Sequence, residues 1–229
     1  MSFYSADLAR IHDEGYGDFP RAAACELLRR LPPSGLVVEL GCGGGISSEI
    51  VAAAGYEVLG VDISPDMLAI ARRRVPSARF LDGSVWDVEL PRCTAVTAIG
   101  EVINYAADAR AGAERLPELF ARIHDALLPG GVFLFDFATQ GRGAAPPKER
   151  FGTDWRVEVS HVEDQWTLER RIAIEVGGRR SEELHRLRLY DPQQVRRSLE
   201  SQGFSVERLA RYCDFRWGPG YAAFAASAR

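Results

Sequence analysis

From Leu36 onward, short apolar runs alternate with stretches whose apolar residues recur every three or four positions. The runs LVVEL (36–40), YEVLGVD (56–62), ARFL (78–81), TAVTAIG (94–100) and GVFLFDF (131–137) read as five buried strands. Between them, SSEIVAAAG (47–55), SPDMLAIARRRV (64–75) and ERLPELFARIHDALLPGG (114–131) carry helical spacing. In the last of these, Leu116, Leu119, Phe120, Ile123 and Leu127 fall on one face. Ser64 followed by Pro65 is a helix-start signal. Such alternation predicts a parallel sheet covered by helices on both faces, with right-handed crossovers. Residues 1–31 read as helical. DFPRAAACELLRRL (18–31) is a second helix there, with Asp18 as its candidate cap, and LPPSG ends it.

After Asp136 the period changes from helical to two. ATQGRGAAPPKERFG (138–152) reads as loop, and DWRVEVSHV, WTLERRIAIEV and RSEELHRLRLY (154–190) as three antiparallel strands, with Gly177–Gly178 as a hairpin turn. The tail returns to a helix, DPQQVRRSLESQG (191–203), and two strands, FSVERLARY and GYAAFAASA, expected to form a hairpin at the sheet edge. The predicted fold is α/β: a doubly wound, mostly parallel seven-stranded sheet with N-terminal helices and an added antiparallel β-sheet lid. The expected division is a helical lid (1–35), a Rossmann-like ligand-binding core (36–140), an antiparallel β subdomain (141–190) and a segment completing the core (191–229).

Composition narrows the function classes. Over 229 residues, 46% are hydrophobic and 26% charged, ordinary for a globular protein, and the formal net charge is −4. That balance argues against a nucleic-acid or anionic-membrane partner. The arginine runs at 72–74, 170–171 and 179–180 read as solvated surface. Cys25, Cys42, Cys93 and Cys213 are scattered without a CxxC pair, and no histidine pair has metal-ligand spacing. No apolar run approaches the roughly 20 residues of a membrane helix, and the start lacks a signal-peptide pattern. A reducing, cytoplasmic setting is expected; the oligomeric state is left open. Lys148 is the only lysine, so there is no Walker loop.

The chemistry centres on VVELGCGGGISSEI (37–50), a strand, a run of glycines and a helix. A dinucleotide signature would place Gly or Ala at position 46, where this chain has Ile46. Glu39, two residues before the first glycine, would repel a phosphate and favour a cationic ligand. S-adenosylmethionine, with an ammonium, a sulfonium and no phosphate, suits that charge. Asp62 lies about 20 residues beyond the first glycine, the spacing at which a carboxylate meets ribose hydroxyls.

VVELGCGGG, VLGVDIS, FLDGSVWDVELP, TAVTAIGEVINY and LLPGGVFLFDF, in this order and spacing, resemble the class I, seven-strand S-adenosylmethionine-dependent methyltransferases. The resemblance runs from about Leu36 to Asp136. It implies that Glu39 holds the cofactor's ammonium and that Gly41, Cys42, Gly43 and Gly45 line its amino acid portion. Asp62 would then bind the ribose, and Ile63 and Met67 would flank the ribose or adenine. Where the family often has Gly-Asp after the third strand, this chain has Gly83–Ser84. The adenine contact therefore falls to Ser84, the Val85 backbone, Asp82 or Asp87, with Trp86 as a candidate wall. An N-terminal lid bearing Tyr16 and His12 is also implied. The product would be S-adenosylhomocysteine and the acceptor a small molecule.

Acceptor chemistry is expected at the carboxyl edge of the sheet. In GEVINY, Gly100 lets the backbone approach the cofactor, Glu101 is the first side chain facing the methyl group, and Asn104 and Tyr105 follow. Asp136 ends the fifth strand at the same edge, and His185 shares a strand face with Leu187 and Leu189. Glu101, Asp136 and His185 are the candidate catalytic residues. Two acids above a methyl donor would favour an amine acceptor, with N and O nucleophiles both open. The motifs of adenine-N6 and cytosine-C5 methyltransferases are missing. The rival expectations are an NAD(P)-dependent oxidoreductase and a non-catalytic S-adenosylmethionine-binding protein.

Overall fold

The computed structural model describes residues 4–108 and 110–228. Helices α1 (Ala6–Gly15) and α2 (Asp18–Leu28) precede an alternating core of β1 (Leu36–Leu40), α3 (Ile46–Ala53), β2 (Glu57–Asp62), α4 (Pro65–Arg74), β3 (Arg79–Asp82), β4 (Cys93–Ala98), α5 (Leu116–Ala126) and β5 (Leu127–Ala138). Then come β6 (Lys148–Phe151), β7 (Trp155–Asp164), β8 (Thr167–Val176) and β9 (Arg179–Arg188), followed by α6 (Pro192–Ser201), β10 (Phe204–Leu209) and β11 (Tyr221–Ala228).

The main sheet has the order β10-β11-β5-β4-β1-β2-β3. All its neighbours pair in parallel except at β11, which is antiparallel to both β5 and β10. The strand order reverses between β1 and β4, and ligands of open α/β sheets bind beyond the strand ends at such a point. Buried side chains pack both faces, with Trp86, Phe120, Phe133, Phe135 and Phe137 on one side and Ala23, Leu27, Val51 and Tyr212 on the other. Among the described residues no helix is long and apolar enough to cross a membrane.

The second sheet, β6-β7-β8-β9, is antiparallel and has four strands where three were expected. Lys148–Phe151, read as loop, is its edge strand, and all four of its residues are exposed. The turn at Gly177–Gly178 joins β8 to β9 as expected, both glycines having positive φ. Helix α1 buries Leu8 and Ile11 against Trp155, Val157, Ile172, Ile174 and Val176 of this sheet. Two boundaries differ from the sequence reading. Gly17, not Asp18, precedes α2. Leu127 opens β5 instead of ending α5, because the chain turns extended at Leu127 (φ −70°, ψ 140°).

Candidate active site

The glycine loop follows β1 and is pinned by Gly41 and Cys42 N–H groups donating to the Val61 carbonyl at 2.8 and 3.0 Å. Gly41, Gly43 and Gly45 have φ of 69, 53 and 77°, a region that favours glycine. Their reasons differ. A Cβ at Gly41 would lie 2.4 Å from a Val102 methyl, and one at Gly45 would lie 3.1 Å from Ala71, so both need glycine for packing. At Gly43 only the Met67 sulfur comes within 4 Å, and at Gly100 (φ 95°) nothing does. Those two stretches of bare backbone line one cavity.

Gly41, Gly43, Asp62, Ile63, Met67, Val85, Trp86 and Gly100 line this cavity, joined by Tyr4, His12, Ile99, Val102, Tyr105, Ala107 and Asp108. Among the described residues its wall carries two carboxylates and no lysine or arginine. That charge suits a cationic ligand and disfavours a phosphate. Asp62 is held in place by two backbone donors, Gly43 N–H to Oδ2 (2.8 Å) and Ser64 N–H to Oδ1 (2.9 Å). Burial raises its pKa and these bonds oppose the rise. Ser64 caps α4 by accepting from the Met67 N–H, as its position predicted. A carboxylate to receive hydroxyls, bare backbone at Gly43 and Gly100, and apolar walls at Ile63, Met67, Val85 and Trp86 fit the shape and charge of S-adenosylmethionine.

The remaining expected cofactor residues lie off the wall. Glu39 is 2% exposed behind the glycine loop, accepting from the Ser47 hydroxyl at 2.6 Å and from that of Ser48. Burial raises its pKa against those two bonds. The Cys42 sulfur sits against Gly60 of β2. The Gly83 N–H donates to the Asp62 carbonyl, and the Ser84 hydroxyl accepts from the Trp86 N–H at 3.0 Å, shaping the turn that presents Val85 and Trp86. Tyr16 stacks on His12 with ring centroids 5.3 Å apart, beneath the Arg150 guanidinium.

Both acids expected above the methyl donor have internal partners. Asp136 is fully buried and accepts from the Gly100 N–H (3.0 Å), the Glu101 N–H (2.9 Å) and the Tyr212 hydroxyl (3.3 Å), so it shapes the loop after β4. Burial pushes its pKa up to about 7 against the amide hydrogen bonds. Glu101, with φ 64°, turns its carboxylate to Arg142 Nε (2.8 Å) and Arg170 Nη2 (2.5 Å). Burial acts to raise its pKa, but the Arg170 and Arg142 charges override that and bring it to about 2. A carboxylate so stabilised is a weak base. His185 is buried between the lid sheet and the core, 2.9 Å from Glu183 and with its ring 5.0 Å from that of Tyr4. Asn104 bolts β5 to β9, exchanging bonds with the Ala138 backbone and donating to the Arg188 carbonyl.

Tyr4, Val102, Ala107 and Asp108 were not singled out from sequence as wall residues. Tyr4 precedes the first helix, where no periodicity marks it, and its hydroxyl is 3.2 Å from that of Tyr105. Arg142 and Arg170 lie 41 and 69 positions from Glu101, so no local pattern announces them. Among the described residues no His, Cys, Asp and Glu group has metal-binding geometry.

Comparison with known proteins agrees with this geometry. A family profile described as a methyltransferase domain matches residues 37–131. The dTDP-3-amino-3,6-dideoxy-alpha-D-glucopyranose N,N-dimethyltransferase of Streptomyces fradiae is 33% identical over 223 residues, covering 89% of this chain and 86% of that protein. The solved CcbJ methyltransferase of Streptomyces caelestis superposes with a TM-score of 0.81 at 21% identity, covering 100% of this chain and 99% of that one. CalS10 of Micromonospora echinaspora, an amino pentose methyltransferase solved with S-adenosylmethionine bound, gives a TM-score of 0.76 at 20% identity, covering 100% and 99%. The chain belongs to the class I S-adenosylmethionine-dependent methyltransferases that act on small molecules.

Proposed function

We propose that this enzyme methylates the nitrogen of an amine on a small, sugar-like acceptor. The observation that carries this reading is the cavity wall, with its two carboxylates and no cationic side chain. The Streptomyces fradiae relative, an amino-sugar N,N-dimethyltransferase, supports it, because that likeness extends through the lid sheet as well as the core. Family membership removes the hydride-transfer and non-catalytic alternatives.

S-adenosylmethionine supplies a methyl group already activated on a sulfonium, so the protein's task is alignment and exclusion of water. Asp62 would accept from the ribose hydroxyls, and Ile63, Met67, Val85 and Trp86 would enclose the adenine. Gly43 and Gly100 leave room for close backbone approach. Asp136 fixes the loop at Gly100 through its amide bonds, and Glu101 ties that loop to the lid through Arg142 and Arg170. Both acids act here as supports for the cavity. In this reading residues 1–35 and 141–190 cover the cofactor core at 36–140, and 191–229 complete its sheet. We further place the enzyme in the cytoplasm, without a nucleic-acid or membrane partner. Its four cysteines are free.

The test is incubation with S-adenosylmethionine and dTDP-3-amino-3,6-dideoxy-alpha-D-glucopyranose, in parallel with its 3-hydroxy counterpart. S-adenosylhomocysteine release with addition of one or two methyl groups to the amine alone is expected. Methylation of the hydroxyl compound in preference to the amine would overturn the N-acceptor reading.

A further inference from the structure

Helix α1 carries one polar ring on the cavity wall whose nitrogens have no internal task. Successive residues of this helix point to different neighbours. Ile11 is buried against the lid sheet, His12 lines the cavity, and Asp13 forms a two-point ion pair with Arg74 at 2.6 and 2.8 Å. Arg10 and Glu14 bond to Asp154 and Trp155 of the lid sheet. The helix around His12 is therefore fixed on two sides.

The imidazole itself is set by rings. Tyr16 stacks on it at 5.3 Å with planes 13° apart, and Tyr4 meets it edge-on at 5.3 Å and 88°. Among the described residues neither ring nitrogen of His12 receives or donates a hydrogen bond, and the half-buried residue lines the cavity. A fixed polar ring facing a ligand cavity without an internal partner is suited to a ligand.

We propose that His12 accepts a hydrogen bond from the N–H of the acceptor amine and so orients its lone pair for methyl transfer. The proposal rests on the N-acceptor reading above. An amine attacks only in its neutral form. A carboxylate at this position would stabilise the ammonium, which has no lone pair. A neutral imidazole accepts from the free amine without that penalty. The surroundings keep it neutral. Burial is the largest influence and, with Arg170 of β8 and His185 of β9, pushes its pKa down to about 4, while Asp13 on its own helix opposes. Tyr4 and Tyr16 are the other titratable groups packed on the ring, with Arg150 of β6 beyond Tyr16. Glu101, the acid expected at this task, is instead paired with two arginines.

The test compares wild type, His12→Asn and His12→Phe, with dTDP-3-amino-3,6-dideoxy-alpha-D-glucopyranose as the probe. Turnover of this amine by wild type is the entry condition. If wild type ignores every amine tried, the N-acceptor reading fails, and the role of His12 as a partner for an amine fails with it. With that condition met, His12→Phe is expected to lower kcat/KM by about 10- to 100-fold, the cost of one lost hydrogen bond to a buried group. S-adenosylhomocysteine affinity should stay within about twofold, since the bond goes to the acceptor. His12→Asn, which keeps an acceptor atom but cannot hold a proton, should recover most of the loss and reproduce the wild-type pH profile. Undiminished kcat/KM in His12→Phe, a parallel loss of S-adenosylhomocysteine affinity, or a His12→Asn enzyme as impaired as His12→Phe would each overturn the proposal.

Discussion

Asp62 shows how one side chain can brace the glycine loop and still face the cavity. Its carboxylate accepts from the Gly43 and Ser64 amides and still lines the cavity. Asp62→Ala is expected to weaken S-adenosylhomocysteine binding by roughly 1–3 kcal/mol, measured by titration calorimetry; unchanged affinity would remove it from the cofactor site. Asp136 is the opposite case, a buried acid off the cavity wall. Its pKa is about 7 in the folded chain against about 4 when unfolded, so the native state keeps a proton that the unfolded state releases. Its contribution therefore falls as pH rises from about 4 to about 7, by at most roughly 1.4 kcal/mol per pH unit. Glu101 titrates lower and loses its contribution as pH falls from about 4.5 towards about 2. Denaturant melts between pH 4 and 7 should give wild type a slope lower than that of Asp136→Asn, since burial holds His12 and His161 down to about 4 and tilts both proteins the other way. A slope of equal size in the variant would assign it to another group. At this scale the sequence shows residue types and their spacing. The place of Asp62 beside the cavity was legible because its position is local to the glycine loop. The partners of Glu101 were not, since Arg142 and Arg170 approach only through folding of the lid.

Elements were more legible than partners. Four of the five core strands, β1, β2, β4 and β5, are apolar runs buried on both faces, whereas the edge strand β3, expected to be buried, is mostly exposed. The antiparallel strand β8 alternates in burial throughout and β7 over its first four residues, matching their period of two. Strand β6 escaped because none of its four residues is buried, so it leaves no hydrophobic trace. The join between α5 and β5 was misplaced because Leu127 continues the apolar face of the helix while its backbone is already extended. What holds the lid elements to the core is partly ionic. Glu101 follows β4, Arg170 is on β8, and Arg142 lies between β5 and β6. Both pairs are buried, with side chains 4–12% exposed. Removing the shared acid leaves two guanidiniums facing each other without compensation. Glu101→Ala should therefore destabilise the protein by about 3–5 kcal/mol in denaturant titration. Arg170→Met with Glu101→Met should cost less than Glu101→Ala alone, because the double change removes a charge of each sign. A single change milder than the double would show that this pairing contributes little.

Across the whole molecule, α1 bridges the two sheets at the cavity. On one side Arg10 and Glu14 hold it to β7 and the turn before it. On the other, Asp13 reaches Arg74 of α4, which also donates to the Gly44 carbonyl of the glycine loop. Tyr4 and His12, borne by this segment, line the cavity together with Gly41 and Gly43. If a ligand leaves this cavity past α1, some of these contacts must break, and their strength then enters the release rate. The contacts are unequal. The Asp13 and Arg74 side chains are 16% and 19% exposed, whereas Arg10 and Asp154 are 36% and 55% exposed and well screened by solvent. Among the described residues, Asp13→Ala leaves Arg74 with only the exposed Glu49, 3.6 Å away, as an acidic partner. It is expected to speed S-adenosylhomocysteine release by roughly 5- to 30-fold, the equivalent of about 1–2 kcal/mol. Asp154→Asn should change release by less than about twofold. Stopped-flow fluorescence can follow both, because Trp86 forms part of the cavity wall. Equal release rates in wild type and Asp13→Ala would mean that the ligand leaves without disturbing this end of α1.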